Sequence, residues 1–155
     1  MKKLFLLIIL FLLTIANLIG QAGNALEFDG VNEYVNIDNI QGEMNGLTTF
    51  TIEFWVRGDK TLQNNNAVIL AENAGLQQHL FHMITGAGNG QFKIDDASGA
   101  DFEGTTDIGD NNWHHVAISC NNNTTTVYVD GSLETAGGGS SNPYTSSFTF
   151  SASGQ

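Results

Sequence analysis

The chain has 155 residues, with 16 acidic against 5 basic side chains and a formal net charge of −11. A surface this negative repels phosphate backbones, which excludes nucleic acid and anionic membrane as partners and favours cations or neutral polar ligands. The single cysteine, Cys120, excludes an intrachain disulfide, so stability must come from a core or a bound metal.

The first stretch reads as a targeting segment. Lys2 and Lys3 precede an apolar run from Leu4 to Ile15, followed by Gly20, Gln21, Ala22 and Gly23. A basic n-region, an apolar h-region and a small-residue cleavage zone are the layout of a secretory signal peptide, here residues 1–22. Cleavage after Ala22 leaves residues 23–155, enough for one domain with a sizeable core. Every acid lies at or beyond Glu27, so loss of Lys2 and Lys3 deepens the charge to −13 (3 basic against 16 acidic side chains). No cysteine near the cleavage zone offers a lipid attachment point. Leu4 to Gly20 lies at the lower edge of a membrane span and contains Asn17. An exported soluble protein is expected, with an uncleaved anchor as the alternative.

From Ala25 onward apolar and polar residues alternate in short runs between Gly and Asn clusters, the pattern of half-buried strands. Strands are predicted at Leu26–Asp29 and Tyr34–Ile37. The clearest run is Phe50 to Arg57, with Phe50, Ile52, Phe54 and Val56 on one face and Thr51, Glu53, Trp55 and Arg57 on the other. Further strands follow at Ala67–Glu72, His79–Thr85 and Gln91–Asp95. Trp113 to Cys120 puts Val116, Ile118 and Cys120 on one face, and Thr125 to Asp130 does the same for Val127 and Val129. The short polar link Asn121-Asn122-Asn123-Thr124 predicts a hairpin between these two runs. Asp130-Gly131 predicts a turn into a strand at Ser132–Ala136, and a last strand is predicted at Ser147–Ser151. The patches Asn64-Asn65-Asn66 and Gly137-Gly138-Gly139-Ser140-Ser141 read as exposed loops, and Gly86-Ala87-Gly88-Asn89-Gly90 as a hairpin connection. About ten short strands favour an antiparallel sandwich or barrel.

Four phrases then stand in order: Ala25-Leu26-Glu27-Phe28-Asp29-Gly30 with Glu33-Tyr34-Val35, Phe50-Thr51-Ile52-Glu53-Phe54-Trp55-Val56, Trp113-His114-His115-Val116-Ala117, and Val127-Tyr128-Val129-Asp130-Gly131. The set resembles the laminin-G-like jelly roll of the concanavalin A-like lectin/glucanase superfamily, over roughly Ala25 to Ser153. The resemblance implies an all-β antiparallel jelly-roll sandwich of two curved sheets, with ligand on the concave side or at the rim loops. It implies less about function, since the superfamily hosts lectins, hydrolases and adhesion modules. Similar jelly rolls continue past the strand matching Ser147–Ser151 into a further strand beside the N-terminal one. On that comparison the domain is expected to be incomplete at its C-terminus.

Because some such relatives are glycosidases, paired acids come first. Glu27-Phe28-Asp29 with Glu33 looks like the hydrolases' Glu-x-Asp-x-x-Glu strand, but the spacing is off by one residue. On an extended strand Glu27 and Glu33 would lie about 20 Å apart, whereas glycosidase carboxyls stand about 5–5.5 Å or 6.5–9.5 Å apart. Asp29-Gly30 is more simply a turn. Glu53 has no assignable partner acid. His79 with His82, and His114 with His115, point to opposite strand faces, so each pair offers at most one zinc ligand to a site. In the resembling family the Trp-His-His phrase is part of the fold. Cys120 falls on an apolar face, where an inert thiol is expected.

Calcium is the possible metal. Asp95, Asp96, Asp101, Glu103, Asp107 and Asp110 supply hard oxygens on what reads as loop, but a solvated acidic loop is the preferred reading and none of them is assigned as a metal ligand. In the calcium-dependent pentraxin lectins of this fold an acidic and amide pair follows the strand equivalent to Ala67–Glu72; here Gln77 and Gln78 stand there, both neutral. Sugar binding calls for an aromatic platform with polar neighbours, which makes Trp55, Tyr128 and Tyr144 candidates, with Gln77 and Gln78 as loop amides. The expectation is an exported, non-catalytic module at the cell surface or outside it that binds glycan or a surface protein. The alternatives are a glucanase-branch hydrolase or an adhesion domain of a longer surface protein.

Overall fold

The computed structural model describes residues 25–35, 37, 47–62, 67–72, 79–83, 90–96 and 102–145. The chain divides into two compact units, Met1–Val35 and Asn36–Gln155. Among the described residues ten strands lie in the second unit: β1 (Thr49–Val56), β2 (Ala67–Glu72), β3 (His79–Met83), β4 (Gln91–Asp96), β5 (Phe102–Asp107), β6 (His114–Asn121), β7 (Thr124–Val129), β8 (Ser132–Leu133), β9 (Ala136–Gly139) and β10 (Tyr144–Thr145). One sheet runs β1-β6-β7-β10, with β8 also on β7; the other runs β2-β3-β4-β5-β9. All pairings are antiparallel. The expected all-β jelly-roll sandwich is what forms. Among the described residues no helix is long and apolar enough to cross a membrane.

The alternating runs explain the core. Val116, Ile118, Cys120, Val127, Val129 and Tyr144 from the first sheet meet Phe92, Ile94 and Phe102 from the second, with Ile108 between them in the chain after β5. Phe50, Ile52, Phe54 and Val56 of β1 pack against this cluster. Phe54 reaches Phe92 with ring centroids 6.2 Å apart, and Phe102 stacks on Tyr144 at 5.8 Å. Each such buried side chain contributes about 1.5–3 kcal/mol relative to exposure. Cys120 sits inside, its thiol 3.8 Å from the Thr48 carbonyl.

Two tight hairpins set the register of β6, β7 and β8. Asn121 pairs with Thr124 across Asn122 and Asn123, which adopt φ of 48° and 65°. Val129 pairs with Ser132 across Asp130 (φ 50°) and Gly131 (φ 75°). Positive φ at both central residues is the geometry that matches strand twist, and Asn, Asp and Gly tolerate it best.

Four expectations need correction. Leu26–Asp29 and the described residues of Tyr34–Ile37 form no strand; their apolar alternation finds no ladder, and Leu26, Phe28, Tyr34 and Val35 stay exposed. Ser132–Ala136 is not one strand. The chain leaves β7's edge after Leu133 and joins the other sheet at Ala136. Buried Glu134 directs the switch: its carboxylate accepts from the Thr105 and Thr106 amides (2.6 and 2.8 Å) and from both threonine hydroxyls (3.3 and 2.6 Å). Gly137-Gly138-Gly139 is strand, not loop, because the chains there approach so closely that a Cβ on Gly137 would stand 2.8 Å from the Gly104 carbonyl oxygen. Phe102–Asp107, read as acidic loop, is β5, a central strand of the second sheet. The predicted strand at Ser147–Ser151 lies outside the described residues.

Candidate functional site

Because β1 buries its even-numbered residues, Thr51, Glu53 and Trp55 point away from the core, and pairing with β6 fixes what lies beside them. Trp55 pairs with His115, Glu53 with Ala117 and Thr51 with Ser119. On the next strand Tyr128 stands opposite Ala117 and Thr126 opposite Ser119, while Leu133 of β8 faces Tyr128. The outer face of this sheet therefore carries two successive rows, Trp55–His115 and Glu53–Ala117–Tyr128–Leu133, about 7 Å apart along the strands.

Trp55 is 65% exposed, far more than core packing allows, and Tyr128 is 36% exposed. The Trp55 and His115 rings contact at 5.1 Å between centroids, tilted by 44°. Glu53 Oε2 lies 3.6 Å from His115 Nε2. Ala117 leaves a gap between Glu53 and Tyr128 because it has only a methyl group to fill it. Two aromatic rings flanking a carboxylate and an imidazole make a surface with apolar ring faces and hydrogen-bonding edges. Such a surface suits a ligand that alternates C–H faces with hydroxyls.

The same alternation continues beyond the strand ends. Arg57, just past β1, holds its guanidinium 5.3 Å from the Trp113 ring centroid, just before β6. Trp113 is 45% exposed. Sequence reasoning placed Arg57 on the face of Glu53 and Trp55 but did not single out His115 or Trp113; the residues of the Trp113 to Cys120 run that alternate with Val116, Ile118 and Cys120 include both.

His114 points the other way and is structural. Its Nδ1 lies 2.8 Å from Asp130 Oδ2 and its Nε2 3.0 Å from Asp110 Oδ1, while the His115 amide donates to Asp130 Oδ1 at 2.9 Å. Burial pushes the His114 pKa down, but the two carboxylates outweigh it and the net shift is upward. The Asn112 side chain, then His114, holds Asp110 down to about 2. Burial pushes Asp130 up, yet its bonds from the His115 amide and from His114 leave it lowered.

The other candidates fare differently. Trp55 and Tyr128 share the outer face. Tyr144 does not: it is buried, 4% exposed, and belongs to the core. Gln77 and Gln78 lie outside the described residues. Asp29 and Glu33 form a local turn, in which the Asp29 amide donates to Glu33 (2.6 Å) and the Val31 amide to Asp29 (2.9 Å). Of the acids considered for calcium, Asp101 lies outside the described residues and three have other partners. Asp95 pairs with Lys93 at 2.7 Å, Asp107 with Lys60, and Asp110 with His114. Among the described residues no three His, Cys, Asp or Glu side chains converge on a common point.

A laminin G family model, described as the concanavalin A-like lectin/glucanases superfamily, matches residues 29–155. No curated protein and no solved structure matches the chain.

Proposed function

The chain belongs to the concanavalin A-like lectin/glucanase superfamily, and from that premise we propose that it is an exported, non-catalytic module that binds carbohydrate on the outer face of β1, β6 and β7. The observation that carries the reading is Trp55, two-thirds exposed on the outer sheet face with His115 and Glu53 beside it and Tyr128 on the same face. A pyranose stacks its C–H face on the indole while Glu53 and His115 bind its hydroxyls. Glu53 has no second carboxylate beside it on the described part of this face, which speaks for binding rather than glycoside hydrolysis. The signal-peptide pattern in residues 1–22 supports export, in keeping with the extracellular habit of laminin-G-like domains.

A glycan array probed with the secreted protein, with and without calcium, tests the proposal. Binding to a defined set of glycans is expected. Failure to bind any glycan would favour an adhesion domain with a protein partner. Turnover of a β-glucan abolished by Glu53→Gln would favour the hydrolase branch. For export, mass spectrometry of the secreted product is expected to find an N-terminus at or within a few residues of Gly23.

A further inference from the structure

Beyond the signal-peptide pattern the sequence has three basic side chains, Arg57, Lys60 and Lys93. Two are neutralised: Lys60 by Asp107 and Lys93 by Asp95. Arg57 is not. Among the described residues it has no carboxylate partner, although two acids lie near it in the fold. Asp59 turns its Oδ1 to the Thr61 amide and hydroxyl, at 2.8 and 2.6 Å. Asp110, bridged to Asp59 through the backbone, gives its carboxylate to Asn112 and His114. Arg57 instead lies over the exposed Trp113 ring.

This arrangement sits at one end of the carbohydrate face. Arg57 and Trp113 continue the outward alternation of Glu53 and Trp55, so their row lies about 7 Å beyond the Trp55–His115 row and about 14 Å from Glu53 and Tyr128. A guanidinium held against an indole keeps its N–H edges open to solvent, and those edges match a carboxylate with two parallel hydrogen bonds. An extended saccharide lying along Tyr128 and Trp55 brings its next residue onto Arg57. The net charge, −13 once residues 1–22 are removed (3 basic against 16 acidic side chains), adds a second constraint. A polyanion is repelled as a whole by such a surface, whereas one carboxylate delivered onto one uncompensated cation is not.

We propose that Arg57, seated on Trp113, is an anion subsite at the end of this face and that the ligand is an oligosaccharide with a single uronic acid there. This inference rests on the carbohydrate-binding reading of the same face and narrows it to a substrate class.

Calorimetric titration of the full secreted protein with a trisaccharide ending in glucuronic acid, and with the same sugar reduced at its carboxyl, tests the proposal. The acid is expected to bind about tenfold tighter or more, as one charge-assisted bidentate contact implies. Arg57→Gln is expected to bring the acid down to the affinity of the reduced sugar, and Arg57→Lys to restore only part of the difference. Raising the salt from 50 to 500 mM is expected to shrink the preference. Equal affinity of the wild-type protein for the two sugars would overturn the uronic-acid inference while leaving the carbohydrate face standing. Binding of neither sugar alongside hits on a glycan array would overturn the inference alone. Binding of neither sugar with no array hits would overturn both readings.

Discussion

Replacement of Glu134 by alanine should be the most damaging single change away from the apolar core. Glu134 is 5% exposed, and its carboxylate accepts two amides and two hydroxyls from Thr105 and Thr106. Its own amide donates to the Val127 carbonyl at 3.0 Å, and its carbonyl accepts from Asn142 at 2.6 Å. One side chain thus ties the edge of the first sheet to β5 of the second. Truncation strands two backbone donors at about 1–3 kcal/mol each and removes the charge assistance of the hydroxyl contacts. Rotation of the hydroxyls toward solvent recovers part of this, so the net loss is about 3–5 kcal/mol, most of it from the two stranded amides. At about 4 °C per kcal/mol for a domain of this size, Tm falls by roughly 12–20 °C. Glu134→Gln keeps one carbonyl oxygen for the two amides and should lose about 1–2 kcal/mol. Differential scanning calorimetry reads both variants, and hydrogen exchange at the Thr105 and Thr106 amides reads the mechanism. An alanine variant melting within about 2 °C of wild type, or unchanged protection at those amides, would refute the reasoning.

Two further outcomes follow from the same geometry. The raised pKa of His114 contributes stability that is fully present below the ordinary histidine value of 6.5 and is lost as pH rises through the folded value. Its lowered partners contribute stability above the ordinary aspartate value of 3.8, lost as pH falls toward about 2 for Asp110. Melting curves from pH 4 to 9 should therefore show a decline in Tm above pH 6.5 that His114→Gln removes; the same decline in the variant would contradict the clip. Gly137→Ala should cost about 1–3 kcal/mol by forcing β9 off β5, since its Cβ would meet a backbone oxygen at 2.8 Å. Gly138→Ala, whose Cβ would meet nothing nearer than the Glu103 carboxylate at 3.3 Å, should cost less, and equal losses in urea titration would contradict the close-approach argument.

The fold was legible where burial writes a period into the sequence. Phe50, Ile52, Phe54 and Val56 bury one face of β1, and Val116, Ile118 and Cys120 do the same for β6, so both strands and their facing direction followed from alternation. The β6–β7 and β7–β8 turns were legible because Asn-Asn and Asp-Gly are among the few pairs that take two positive φ values. β5 was not, because Phe102 is the one large apolar side chain in a strand that also carries Glu103 and Asp107. β9 was not, because three glycines have no side chains to alternate and their strand character comes from a neighbour more than thirty residues earlier in the chain. In the candidate site, Trp55 and Tyr128 stood out as residue types, but their shared surface depends on the pairing of β1 with β6, some sixty residues apart. Local pattern carries no register between distant strands. Tyr144 looked as good a platform as Tyr128, and its burial in the core beside Phe102 separates them.

The central claim is that the exposed indole of Trp55 is a ligand platform, and its most direct test is the affinity of Trp55→Ala for the strongest glycan found on the array. Trp55 is 65% exposed, so its loss should leave Tm within about 2 °C of wild type. Affinity should fall by about 2 kcal/mol, roughly 30-fold, the size expected for an aromatic hot spot. Unchanged glycan affinity in a variant that folds normally would place the binding surface elsewhere and contradict the account.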